Sequence, residues 1–275
     1  MATPAFATLR LEPVDGSVRI KLGNKSASVD VDTPRGAVEA ATQEFLNRLT
    51  ELQEAFYADG RHSLLLVLQG RDASGKDGVI KTVYGAFNPV GVRVASFRPP
   101  TELERRHDFL WRVHQVVPPR GMVGVFNRSH YEDVLAVRVR KLAPESVWRP
   151  RYQQINDFEA MLADSGVIIR KCMLHVSRDE QYERLRERLD DPHKNWKFRL
   201  DDLTDRALWD DYTDAYREAL EQCSTARAPW FVVPADNKPM RNFLIARMLV
   251  ETLESVGAEF PPMDPAVREG AKGFT

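Results

Sequence analysis

The feature that most restricts this chain is an abrupt change of character after residue 68. Five consecutive apolar residues, Leu64 to Leu68, run into Gly70-Arg71-Asp72-Ala73-Ser74-Gly75-Lys76-Asp77-Gly78, and a helical pattern follows over residues 76–87. A continuous apolar run is what a strand covered on both faces requires. The pattern G-x-x-x-x-G-K between a strand and a helix is that of a phosphate-binding loop. Its glycines let backbone wrap closely around phosphate oxygens, the N–H groups at the helix start donate to the anion, and Lys76 adds a point charge. Gly70, Ala73, Ser74, Gly75, Asp77 and Gly78 are therefore candidate phosphate contacts. The alternative, a chance match in a turn, does not account for the strand before and the helix after. Two departures stand out. Asp77 replaces the Ser/Thr whose hydroxyl usually binds magnesium, and Asp72 lies inside the loop. A carboxylate at Asp72 can hold magnesium or orient an attacking oxygen. The competing reading is an aspartate that steadies the loop by accepting backbone N–H bonds.

The remainder alternates in the same way. Val38, Ala41, Phe45, Leu49, Leu52 and Phe56 keep three/four spacing, which predicts a helix over residues 36–59 ended by Gly60. Strands are expected at 92–97, 122–126, 167–176 and 230–233. Helices are expected at 101–116 and 177–189, each opened by a capping box (Thr101 with Glu104, Ser177 with Glu180), and at 240–256. Five apolar strands separated by helices predict an α/β three-layer sandwich with a mainly parallel sheet. Residues 1–32 read as a loosely structured arm with short alternating pieces such as 17–22. Residues 33–260 read as one domain, and 261–275 as a poorly ordered tail. The length, 275 residues, suits one large domain with extensions.

Several classes are excluded. The longest apolar run falls far short of the roughly 20 residues that span a bilayer, so no membrane is expected. The first residues lack the apolar core of a secretory signal. The two cysteines, Cys172 and Cys223, form no CxxC pair, which argues against a disulfide framework or a cysteine zinc site and suits a reducing cytoplasm. The formal net charge of −1 conceals an asymmetry: residues 70–141 carry thirteen Lys/Arg against seven Asp/Glu, and residues 201–275 carry eight against fourteen. A basic middle suggests handling of an anion, although solvated helix faces would give the same balance.

Two further segments carry chemistry. The third strand ends in Asn127-Arg128-Ser129-His130-Tyr131-Glu132-Asp133, at the strand end where open α/β sheets bind ligands. Arg128 can fork two phosphate oxygens, while Glu132 and Asp133 are candidate metal ligands or caps for the next helix. His130 and Tyr131 have a simpler reading as packing beneath the loop. After the fourth strand come Arg178, Arg184, Arg186 and Arg188, then Asp191-Pro192-His193-Lys194-Asn195-Trp196-Lys197-Phe198-Arg199. Basic residues hinged at a strand end have the look of a lid closing over phosphates, with a solvated helix as the alternative. Phe97, Trp111, Trp196 and Asp236-Asn237-Lys238 are candidate base contacts or simply core and loop.

These three segments, in this order and with Pro99-Pro100-Thr101 between the first two, resemble the polyphosphate kinase type-2 family over roughly residues 35–255. The resemblance implies a P-loop kinase fold like that of thymidylate kinase, with a helical lid at about 178–205. It implies phosphoryl transfer between inorganic polyphosphate and adenine nucleotides (AMP, ADP, ATP), with Mg2+, in a homo-oligomer (dimer or tetramer). It places Asp72, Lys76 and Arg128 in catalysis and Arg178, Lys194 and Lys197 in the phosphate-binding lid; because the neutral Asn127 replaces the usual metal carboxylate, magnesium would lean on Asp72, on the phosphates and on Glu132 or Asp133. Many members have Asp-Arg-Ser-Trp-Tyr in the second segment. Asn127-Arg128-Ser129-His130-Tyr131 resembles instead the subgroup called class III, which phosphorylates both AMP and ADP. An ATP-dependent nucleotide kinase on the same core is the first rival. A non-catalytic polyanion- or RNA-binding module is the second; it is opposed by the absence of a nucleic-acid motif and by the slightly acidic total charge.

Overall fold

Side chains on β1 (Ser63–Gly70) alternate between two covered faces. Leu64, Leu66 and Leu68 enter one apolar cluster, and Leu65 and Val67 enter another on the opposite face. Each of these five side chains is fully buried, and burial of one leucine stabilises by about 2 kcal/mol. The structure, a computed structural model, describes residues 5–31 and 34–274. The first four residues of the arm, its expected boundary at 32–33, and Thr275 lie outside the described residues.

β1 is the middle strand of a five-stranded sheet of order β2-β3-β1-β4-β5, with β2 (Val92–Ser96), β3 (Val123–Asn127), β4 (Val167–His175) and β5 (Trp230–Pro234). Every pairing is parallel, so all the carboxyl ends lie along one edge. The first face is covered by α1 (Arg35–Asp59), by α2 (Lys76–Thr82) and by the last helix of the core, Lys238–Val256. Gly60 closes α1 in the left-handed conformation, φ 63°, its N–H donating to Phe56 O. The second face carries α3 (Arg151–Asp164) and α6 (Trp209–Cys223), while α4 (Arg178–Asp190) and α5 (Leu200–Ala207) contribute to the groove at the edge of the site. The helix Lys238–Val256 is α7.

The pattern read from the sequence is realised with local differences. α2 stops at Thr82 and continues only as a 3-10 turn, Tyr84–Ala86. The helix expected over 101–116 is two short ones, Glu102–Arg105 and Trp111–His114. Between them the Asp108 carboxylate accepts the Leu110 N–H at 3.0 Å, which restarts the chain in a turn. The Thr101–Glu104 capping box is complete. At Ser177 only half of one forms: its hydroxyl accepts the Glu180 N–H, while the Ser177 N–H donates to Asp236 and Glu180 turns to Arg184. The long helices α3 and α6 are additional to the elements predicted above.

The described part of the arm contains no strand, 17–22 included, yet it is fastened to the core. Phe6 packs edge-on against Phe243 at 5.6 Å, Val14 donates to Trp230 O on β5, and the Ile20 N–H donates to Glu221 on α6. The tail forms the short helix Pro265–Gly270 with all its side chains exposed.

Candidate functional site

Register brings the sequence segments together. Leu68 on β1 pairs with Asn127 on β3, and Gly70 pairs with Leu174 on β4, so the loop after β1 lies beside the turn after β3 and the start of α4. The loop needs left-handed backbone at Ala73 (φ 60°) and Gly75 (φ 100°). It cradles Lys76, whose ammonium donates to Gly70 O at 2.7 Å and Arg71 O at 3.2 Å. Burial, followed by repulsion from Arg128, lowers this lysine to about 8. Arg71 leaves the loop in the other direction. Its guanidinium lies 3.8 Å above the Trp209 ring and donates to Trp209 O and Thr213, pinning the loop to α6.

Arg128 occupies the left-handed region, φ 62°, a conformation that costs an arginine about 1 kcal/mol or more. Its N–H donates to Leu68 O at 3.0 Å, and its guanidinium donates to Asp72 and to Glu132. Those partners and the position of Arg128 fix the two acids at the mouth of the loop. Burial raises the Asp72 carboxyl, but Arg128, Lys76 and Arg188 together outweigh it and hold Asp72 below its usual range, ionised at neutral pH. Asn127 donates to Asp77 at 2.9 Å. Asp77, in place of the usual Ser/Thr, and Asn127, in place of the Asp of many members, thus meet in one contact, an amide facing a carboxylate where two carboxylates would repel. Asp133 pairs with Arg151 at 2.9 Å, with burial raising its pKa. Its carboxylate is thereby committed to Arg151, whereas Asp72 and Glu132 both face Arg128. His130 and Tyr131 do pack beneath the turn, on a buried pair formed by Glu159 and Lys171.

The lid segment divides by function. Gln181 donates to Asp72 O, and Arg184 donates to Ala73 O and Ser74 O on one side and to Ala235 O and Asp236 O on the other. Arg184 is a brace between loops rather than a free phosphate ligand. Arg188 reaches Asp202 of α5 at 3.5 Å. Lys194 pairs with Glu187 at 2.5 Å and Asp191 at 3.0 Å, and Lys197 lies 5.1 Å from the centre of the Trp196 ring. The side chain of Arg178 is exposed outside the groove, and Arg186 faces an acidic surface with Asp190. Of the candidate base contacts, Trp196 and Lys238 line the groove. Phe97 is core packed on Phe126, Trp111 stacks on His107, Asp236 holds Ser177, and Asn237 caps α7.

The result is an open groove of about 480 Å³ along the carboxyl edge of the sheet. Its walls carry eight Lys/Arg (Lys76, Arg128, Arg184, Arg188, Lys194, Lys197, Arg199 and Lys238) against the four acids Asp72, Asp77, Glu187 and Asp202. Such a surface suits a polyanion. Among the described residues no cluster of three or more His, Cys, Asp or Glu could cage a metal alone. Asp72 with the neighbouring Glu132 nevertheless fits magnesium, which takes one or two carboxylates and completes its shell with phosphate oxygens and water. Arg199, at the end of the lid segment, lines the groove as expected, whereas sequence reasoning did not find Asp202, Gln181 or Arg241. Only Arg241 left a signal, an arginine among Met240, Phe243 and Leu244 on the apolar face of α7.

Comparison with known proteins places these features. Residues 34–261 match the family model described as Polyphosphate kinase 2. An AMP/ADP-polyphosphate phosphotransferase from Meiothermus ruber is 50% identical over 257 residues, covering 94% of this chain and 96% of that protein. An ADP-polyphosphate phosphotransferase from Rhodopseudomonas palustris is 44% identical over 82% of each chain. The crystal structure of Polyphosphate Kinase 2 from Arthrobacter aurescens TC1 superposes with a TM-score of 0.85 at 40% identity, covering 97% of this chain and 99% of that one.

Proposed function

Given that the chain belongs to the polyphosphate kinase 2 family and is a polyphosphate-dependent nucleotide phosphotransferase, we propose how its groove carries the reaction. The terminal phosphoryl group of inorganic polyphosphate passes in line to the phosphate of AMP, giving ADP, and to that of ADP, giving ATP. The single observation that carries this reading is the convergence of Lys76, Arg128 and the lid bases on one groove with a net excess of four positive charges. Donor and acceptor are both polyanions, so their repulsion is the main barrier to bringing them together. Catalysis here is positioning and charge neutralisation.

Each residue has a definite part. Lys76 leaves the carbonyls of Gly70 and Arg71 to contact the transferring phosphates. Arg128, charged at every working pH and aimed by Asp72 and Glu132, steadies the acceptor phosphate. Lys194, Lys197, Arg188 and Arg199 line the path of the polyphosphate chain. An acceptor phosphate oxygen is already ionised near neutral pH, so no strong general base is required. Asp72, with Glu132, would hold Mg2+, which when bound spreads the negative charge of the group in transit.

Acceptance of both AMP and ADP is supported by the resemblance of the Asn127–Tyr131 segment to the class III subgroup and by the Meiothermus ruber relative's name. A homo-oligomer and a cytoplasmic location remain part of the same proposal; no helix among the described residues is long and apolar enough to cross a membrane. The test is a time course with polyphosphate, Mg2+ and AMP, with nucleotides separated by chromatography. ADP should rise first and ATP follow. A reaction that stops at ADP overturns the dual-acceptor assignment.

A further inference from the structure

One charge in the site's surroundings has no counter-charge among the described residues. Arg241, in the first turns of α7, is 3% exposed. Among the described residues its guanidinium makes no ion pair. Nε and Nη2 donate to the Asn242 side-chain oxygen at 3.2 and 2.9 Å, and Nη1 donates to Ser74 O at 3.4 Å. The group lies flat against the back of the phosphate loop: a Cβ on Gly75 would sit 2.0 Å from Nη1, and one on Gly78 would sit 3.1 Å from Nη2. A second buried guanidinium, Arg184, abuts the same loop at Ala73 O and Ser74 O, and Lys76 is enclosed within it. Arg184 has Glu180, at 2.7 Å. Arg241 has only an amide. Burial, reinforced by Arg184, lowers its pKa to about 10, so it remains charged at neutral pH.

An unpaired buried charge is costly, and an apolar side chain of similar volume is usually as good or better for stability. The same burial makes the charge felt strongly across a few ångströms of protein. The loop residues Gly75, Asp77 and Gly78 line the groove, and Arg241 does not. We propose that Arg241 is a positioning residue for substrate: it holds the Gly75–Gly78 backbone from behind and supplies a fixed positive charge whose counter-ion is the phosphate chain bound in front. The inference rests on the phosphotransferase reading above and adds to it a residue that never touches the ligand.

The structure offers a direct test, because Asn242→Asp would place a carboxylate on the guanidinium without moving it. Tripolyphosphate binding to the full chain is measured by titration calorimetry, with Tm recorded in the absence of ligand. Compensation in place should raise Tm and weaken tripolyphosphate binding about tenfold, while kcat at saturating polyphosphate changes little. A merely structural arginine predicts a higher Tm with unchanged affinity, and that result overturns the proposal. Should this variant not fold, Arg241→Lys and Arg241→Gln decide the same question. The lysine must bind at least about fivefold tighter than the glutamine, and equal affinities refute a role for the charge. If the unaltered protein itself fails to bind tripolyphosphate, the functional reading has failed and this inference falls with it.

Discussion

Lys171→Met should be among the most damaging single substitutions outside the groove. Lys171 on β4 and Glu159 on α3 are 0% and 2% exposed, with Nζ 2.5 Å from Oε2. The ammonium also donates to Tyr131 Oη at 2.8 Å and Cys223 O at 2.6 Å. Methionine keeps most of the volume of the stem, so the cavity is small and the loss is electrostatic. Glu159 would be left with the Tyr131 hydroxyl at 2.9 Å and His130 Nε2 at 3.2 Å. Removing one member of a buried pair costs about 3–5 kcal/mol, a large share of the 5–15 kcal/mol that typically holds a domain together.

The same reasoning fixes the pH dependence. In the intact protein burial raises the Glu159 carboxyl, but Lys171 and His130 outweigh it and the net direction is down. Without Lys171 the largest lowering influence is gone and burial carries the folded-state pKa above the unfolded 4.5. A carboxyl raised on folding contributes its stability below the unfolded pKa and loses it as pH rises. The penalty in Lys171→Met should therefore be larger at pH 8 than at pH 5. Urea unfolding of the single variants and of Lys171→Met/Glu159→Leu at both pH values measures it, and the double variant should recover part of the loss. Because Tyr131 and His130 follow Arg128 in one turn, kcat should fall as well. A single-variant loss under about 1 kcal/mol, or a double variant worse than the sum of the singles, would refute the assignment of this pair as the anchor of the turn.

Other perturbations read the groove itself. Lys76→Ala should lower kcat at least about a hundredfold with little change in Tm, measured by steady-state phosphorylation of AMP. Since Lys76 is lowered to about 8 by burial, its charge is present below that pH and lost above it. Consequently kcat/KM for polyphosphate should decline as pH rises through 8, and a flat profile to pH 9.5 would contradict it. Polyphosphate affinity should fall steeply between about 50 and 200 mM salt, by analogy with counterion release from other polyanions; affinity flat in salt would contradict an extended chain lying on Arg and Lys. Gly75→Ala should abolish phosphate binding, because its Cβ would lie 2.0 Å from Arg241 Nη1 at a φ of +100°. Binding by this variant close to that of the unaltered protein would show that the loop is not braced from behind.

How much of this was legible in the sequence depended on the range of the interaction involved. The mainly parallel sheet follows from apolar strands alternating with helices, although the strand order does not, and the loop after β1 announces itself through local glycine spacing and its flanking elements. Arg128 was legible because it ends a strand. Helices α3 and α6 were harder to read because their buried faces include Glu159 and Tyr212 and Tyr216, whose polar ends blur an apolar stripe. The break at Asp108 depends on one carboxylate choosing a backbone N–H two residues on. Pairings across the chain were out of reach of pattern alone. Asn127 with Asp77, Asp133 with Arg151, and Arg184 with the loop carbonyls are separated by 50, 18 and more than 100 residues. Each converts a residue that reads as a free ligand into one already committed to a partner.

The central claim is that polyphosphate is the phosphoryl donor. The most direct test supplies uniformly 32P-labelled polyphosphate, Mg2+ and unlabelled AMP, with ATP rigorously absent, and follows the label. The account predicts label in the β-phosphate of newly formed ADP, dependent on Lys76. Label that stays in polyphosphate or appears only as inorganic phosphate, while ATP supports phosphorylation of AMP by the same preparation, would contradict it.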